Sequence, residues 1–300
     1  MPTKIELLKI RDFGEIVSDT FLFIKENFKP LIKCFYIFCG FFILANISFT
    51  IIEQLKLQSV LNGDLTTVRT SNIFQNSIEK FYALGVLYVL AMIIAVLNVA
   101  AIHTTILCFM AVYKEKGNVA PEPSELWGYF KYFFFRILGS GFLLSVMLGL
   151  GLVFCLVPGI WLSPILGIIM PIMVFENTSF GYAFNKSFRL IRNNWWLTFG
   201  SIIIIFIVLY VISVVLIAPV TLINLSNLVI HRDGFKNMAT TNIITAILTG
   251  FLQIMYVFPI ITASLCYFNM SEQSEGTGLL GRISQLGTSE PSDNLPAEEY

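Results

Sequence analysis

The chain has 300 residues, of which 56% are hydrophobic and 13% charged, with 19 Lys plus Arg against 19 Asp plus Glu. A charged share about half that of an ordinary soluble domain calls for a membrane protein. A zero net charge excludes a nucleic-acid binder, whose affinity comes from cations facing phosphates. The five cysteines, Cys34, Cys39, Cys108, Cys155 and Cys266, sit in apolar runs without a CxxC pair, so a disulfide framework or zinc site is not expected.

The N-terminal segment, 1–30, carries Lys4, Glu6, Lys9, Arg11 and Asp12 and shows no signal-peptide cleavage pattern, so the first span is expected to act as the insertion signal. Over residues 12–28 the apolar positions 13, 16, 17, 21, 24 and 28 have helical spacing, with Glu15, Ser18, Asp19, Lys25 and Glu26 largely opposite. Asp12 and Glu15 have capping-box spacing. This helix is too short and too charged to cross a bilayer, and the spacing predicts one lying flat at the headgroup boundary. Residues 31–52 form the first span, and 53–80 a polar loop with a turn signal at Asn62-Gly63-Asp64. Residues 81–113 carry no charge; as a helix they would measure about 50 Å and are read as one long or tilted span.

After a polar link, residues 125–136, with Trp127-Gly128, predict a further interfacial helix. The uncharged run 137–175 is too long for one crossing, and Pro158-Gly159 divides it into spans at 137–157 and 160–175, the latter interrupted by Pro164 and Pro171. Residues 179–195 predict the next interfacial helix, with Ser179 as its cap, followed by spans at 197–223 and 238–270. The last residues, 271–300, are rich in Ser, Gly, Pro and Glu and predict a disordered acidic tail.

The fold class is therefore all-α: a polytopic membrane domain of six transmembrane helices over 31–270, with amphipathic interfacial helices. Two of those helices are copies. At an offset of 167, Phe13 and Gly14 recur as Phe180 and Gly181, Phe21 as Phe188, Ile24 as Ile191 and Asn27 as Asn194, while Lys25 and Phe28 become Arg192 and Trp195. The unit reads as an interfacial helix plus a two-span hairpin used in parallel orientation, unlike the inverted repeats of many transporters. With six spans, fourteen of the nineteen Lys and Arg fall on the side that holds both termini, which is the cytoplasmic side by the positive-inside rule.

Candidate chemistry is sparse. His103 is the ionisable group deepest in a span, and Glu176 lies where a proline-broken span meets the second copy, so both are candidates for a substrate path. The blander readings are an imidazole satisfied by Asn98, Thr104 and Thr105, and a carboxylate capping a helix start. Gly141, Ser145 and Gly149 recur every four residues as a close-packing face. Lys186, Arg189 and Arg192, with Trp195-Trp196 at their end, offer a basic face for anionic lipid, a partner or water. No HExxH, nucleophile elbow, P-loop or dinucleotide fingerprint is present, and no cofactor or metal is expected.

The segments Val157-Pro158-Gly159-Ile160-Trp161, Pro171-Ile172-Met173-Val174-Phe175-Glu176 and Ala183 to Trp196 together resemble the six-span bacterial membrane domain named after the membrane-anchored glycerophosphoryl diester phosphodiesterases. The resemblance covers residues 150–200. It implies a bacterial inner-membrane domain that serves another component, without phosphodiesterase activity, because the catalytic histidines and metal-binding carboxylates have no counterparts here. The expected function is a non-enzymatic scaffold, assembly or regulatory subunit or lipid-organising protein, with membrane lipids and other membrane proteins as partners. The rival expectation is a transporter or channel for a small or lipidic substrate.

Overall fold

A computed structural model describes residues 5–63, 73–154, 156–230 and 238–276, and every element within them is helical. In chain order these are α1 (Phe13–Glu26), α2 (Phe28–Gly63), α3 (Ile73–Glu115), α4 (Pro123–Phe154), α5 (Leu156–Gly167), α6 (Ile169–Phe175), α7 (Phe180–Ile191), α8 (Trp195–Ile230), α9 (Met238–Leu252) and α10 (Val257–Glu275). A 3-10 turn at Gln253–Tyr256 joins the last two. Six stretches are long and apolar enough to cross a membrane: Phe28–Leu57, Tyr82–Glu115, Pro123–Val153, Val157–Phe175, Trp195–Ile223 and Thr240–Glu275.

Several boundaries differ from the sequence reading, each for a local reason. The helix expected at 125–136 is the start of α4, because Leu126, Phe130, Phe133 and Ile137 form one buried stripe. Much of the loop expected at 53–80 is helical, α2 running to Gly63 and α3 starting at Ile73. The short span breaks at Ile168, since Pro171 has no N–H for the carbonyl four residues back. Pro259 does the same to the sixth span, and the turn before it tightens to 3-10 geometry. The first residues of the expected tail, Ser271–Glu275, instead complete α10, which Gly276 ends at φ 58°. The polar loop read at 231–237 and the rest of the expected tail, 277–300, lie outside the described residues.

The fold is centred on α10, which is buried on nearly every side. Such a helix sees protein rather than lipid, so it tolerates Thr262, Ser264, Asn269 and Ser271 in its interior. Against it α8 runs antiparallel, with Thr198 near Met270 and Ser213 near Met255. The outward faces of α2, α3, α4 and α8 are instead apolar and exposed, as at Phe41, Met92, Phe142 and Phe206.

Candidate functional site

The capping box forms as expected: Asp12 Oδ1 accepts from Glu15 N–H at 2.8 Å, and Glu15 accepts from Asp12 N–H at 3.2 Å. Lys9, 3.0 Å from Glu15, and the Asp12 amide hold the Glu15 carboxyl below its usual value. The helix that follows packs against the sixth span and α8. Arg11 N–H donates to Asn269 Oδ1 at 2.9 Å, Phe13 packs on Gly200, Thr20 meets Thr262 at 3.1 Å, and the Phe21 ring lies 5.2 Å from that of Phe258. The pairs run in opposite order along the two helices, so α1 travels antiparallel beside α10. Its buried face is Ile16, Thr20, Phe23 and Ile24; Phe13 and Phe21 flank it, part in contact and part exposed, while Gly14, Lys25 and, at the start of α2, Phe28 are exposed.

The second copy docks differently. α7 crosses the end of α10 and buries Ala183, Lys186, Ser187, Leu190 and Ile191. Lys186 is therefore not part of a solvated basic face, because it falls on the same helical stripe as these residues. Its side chain is 5% exposed, and Nζ lies 2.7 Å from Glu176 Oε1 and 2.6 Å from Glu275 Oε1. The Tyr267 hydroxyl donates to that same Glu176 oxygen at 2.6 Å. Burial alone would lower the Lys186 ammonium pKa, but the two carboxylates outweigh it and hold it above the usual lysine value. This group forms a latch between the end of α6, α7 and the last turn of α10, reinforced by Asn194 Nδ2 donating to Gln273 Oε1 at 3.0 Å.

The turn carrying Glu176 is fixed from a third helix. Asn177 adopts φ 49°, and Arg136 of α4 donates to Asn177 Oδ1 at 2.9 Å and to the Thr178 carbonyl at 2.7 Å. Ser179 occupies the helix start with extended backbone, yet its side chain makes no capping bond. Positions 19 and 186, equivalent under the sequence offset of 167, each carry a charge paired to a group preceding the helix. Asp19 takes the Arg11 guanidinium at 2.7 Å, whereas Lys186 takes Glu176, so the signs are reversed. Arg11 is itself buried and also donates to the Leu7, Lys9 and Glu6 carbonyls.

Of the remaining candidates, Arg189, Arg192, Gly181 and Trp196 are exposed. Trp195 starts α8 instead of ending α7, stacks on Phe199 at 4.6 Å, and donates its indole N–H to the Trp161 carbonyl at 3.0 Å. Phe188 lies 6.2 Å from the Trp161 ring. The small-residue face serves only in part: a Cβ on Gly141 would sit 3.1 Å from Met170, while Ser145 and Gly149 face outward. Closer helix approaches are at Gly250, where a Cβ would come within 2.3 Å of Ile47, and at Gly159, where it would come within 2.5 Å of Leu152. Four cysteines are free and buried.

His103 is half-buried, with Nδ1 3.0 Å from the Val99 carbonyl of its own helix. The polar residues expected to satisfy it are engaged elsewhere. Thr104 and Thr105 donate to carbonyls one turn back, and Asn98 Nδ2 donates to Gln253 Oε1 at 2.7 Å. Gln253 Nε2 in turn reaches Asn46 Oδ1 at 3.4 Å, giving an amide chain across α2, α3 and the 3-10 turn. His103 and Glu176 do not share a site. Tyr267, Glu275, Arg11 and the amide chain were missed from sequence; their one signal was the density of polar residues in the sixth apolar run, which marks a helix packed among others.

Six apolar spans among the described residues, the last of them ending in a polar helix buried on nearly every side, define a multi-pass α-helical membrane protein. No family model, curated protein or solved structure matches the chain.

Proposed function

We propose that this protein is a non-enzymatic scaffold or regulatory subunit of the bacterial inner membrane, with both termini cytoplasmic, and that it belongs with the six-span membrane domains it resembles. One observation carries the reading: its buried charges are spent on internal ties, Lys186 on Glu176 and Glu275 and Arg11 on Asp19. Those ties hold α1 and α7 on α10 and leave broad apolar faces on α2, α4 and α8 for lipid or a membrane partner. The copied helices, with Trp195-Trp196 and exposed Arg189 and Arg192, place a cytoplasmic boundary at the α7–α8 corner in this reading. Purification in mild detergent, with mass measurement and cross-link mapping, tests it. A partner of fixed stoichiometry cross-linked to α1, α4 or α8 is the expected result. A lone chain that carries solute flux when reconstituted would refute it in favour of transport.

A further inference from the structure

Outside the latch, a cavity of about 580 Å³ opens between the end of α7 and the last turn of α10, with Arg189, Asn193, Asn194, Gln273, Ser274 and Glu275 on its polar side. That volume is in the range of small-ligand sites. Its charges are mixed in sign. Arg189 makes no hydrogen bond or ion pair with the described residues. Glu275 gives Oε1 to Lys186, while Oε2 receives only a 3.4 Å contact from Ser271, and the side chain is 38% exposed. Asn194 and Gln273 are bonded to each other, which leaves Asn193 as the free amide.

A guanidinium and a carboxylate with spare acceptor capacity, facing one cavity, suit a zwitterion: an anionic end accepts from Arg189 and Asn193, and a cationic end donates to Glu275. A purely anionic group would meet the Glu275 charge. The lining residue Asn194 is followed in the chain by Trp195-Trp196, aromatic residues of the kind that mark headgroup level, and α8, which they start, exposes Ile203, Phe206 and Ile207. We propose that the cavity binds the phosphoethanolamine headgroup of a phospholipid, its phosphate at Arg189 and Asn193, its ammonium at Glu275 and its acyl chains along α8. This rests on the boundary assigned above to the α7–α8 corner but not on any protein partner.

Native mass spectrometry of the full chain, titrated with dioleoyl phosphatidylethanolamine, phosphatidylglycerol or phosphatidylcholine, tests the assignment, with water-soluble glycerophosphoethanolamine as a further arm. Phosphatidylethanolamine is expected to bind roughly tenfold tighter than either other lipid, the worth of one charge-assisted contact. Arg189→Gln should weaken it about tenfold, and Glu275→Gln should abolish the preference over phosphatidylcholine. Because Glu275 also holds Lys186, Asn193→Leu serves as the variant that leaves the latch intact, and it too should weaken binding. Equal or tighter phosphatidylglycerol binding would overturn the zwitterion assignment. Equally tight glycerophosphoethanolamine would make the ligand a soluble one, and indifference to headgroup would remove the site. A retained partner complex with no headgroup preference would sink this inference alone and leave the scaffold reading standing.

Discussion

Replacing Lys186 with Met tests whether the latch holds α7 on α10. The substitution keeps an unbranched apolar stem but removes the ammonium that Glu176 and Glu275 share. Removing one member of a buried ion pair costs roughly 3–5 kcal/mol. Here the orphans are not equal: Glu275, 38% exposed, hydrates once released, while Glu176, 19% exposed, keeps the Tyr267 hydroxyl and the more distant charge of Lys114. Discounting for that water access gives about 2–3 kcal/mol for Lys186→Met. Glu275→Gln should cost less, about 0.5–1 kcal/mol, since its partner retains Glu176. Adding Glu176→Gln to Lys186→Met should recover part of the loss, because the buried uncompensated charge is then gone. Equilibrium unfolding in mixed detergent micelles, followed by tryptophan fluorescence, measures all four proteins. A Lys186→Met variant as stable as wild type, or a Glu275→Gln variant equally damaged, would refute the latch.

Three other perturbations probe separate features. Thr20→Val removes the hydroxyl pair with Thr262 at 3.1 Å, and the same unfolding assay should register a loss of about 0.6 kcal/mol, the average for hydrogen bonds between membrane helices. Gly159→Ala drives a methyl against Leu152 and should cost about 1–3 kcal/mol, with Gly149→Ala near neutral because its Cβ would meet nothing within 4 Å. Since the Lys186 pKa is raised above 10.5 in the folded state, its contribution is complete below that pH and is lost as pH climbs through the folded value. Wild type should therefore show an alkaline loss of stability that Lys186→Met lacks. Glu15, lowered from 4.5, contributes in the opposite sense, losing its small share as pH falls below that value.

The spans were legible because an uncharged run of bilayer length admits few alternatives, as in residues 81–113 and their place within α3. The placement of α1 was not. Periodicity located an apolar face but could not say whether lipid or protein would cover it. The answer turned on Thr20, which meets Thr262, and on Asn269, whose Oδ1 accepts from the Arg11 N–H. Lys186 was misread because its second carboxylate, Glu275, lies 89 residues away, in a stretch whose composition resembles a tail. That composition changes at Ser271 while the helix continues, since Ser271 and Glu272 are buried. The small-residue stripe failed for a simpler reason: spacing of four residues identifies a face, and α4 has more face than its neighbours cover.

The burial of α10 bears on how the chain is made. Arg11 and Asn269 are 258 positions apart, so the helix that receives α1 leaves the ribosome after every other described element. Until then Thr20 and the Arg11 backbone N–H lack their partners on α10, and Lys186 has Glu176 without Glu275. Insertion of the first five spans therefore yields an unfinished intermediate with hydrogen-bonding groups to spare, which is the sort of species that membrane chaperones and quality-control proteases recognise. Entry of α10 then supplies the partners that both short helices still lack.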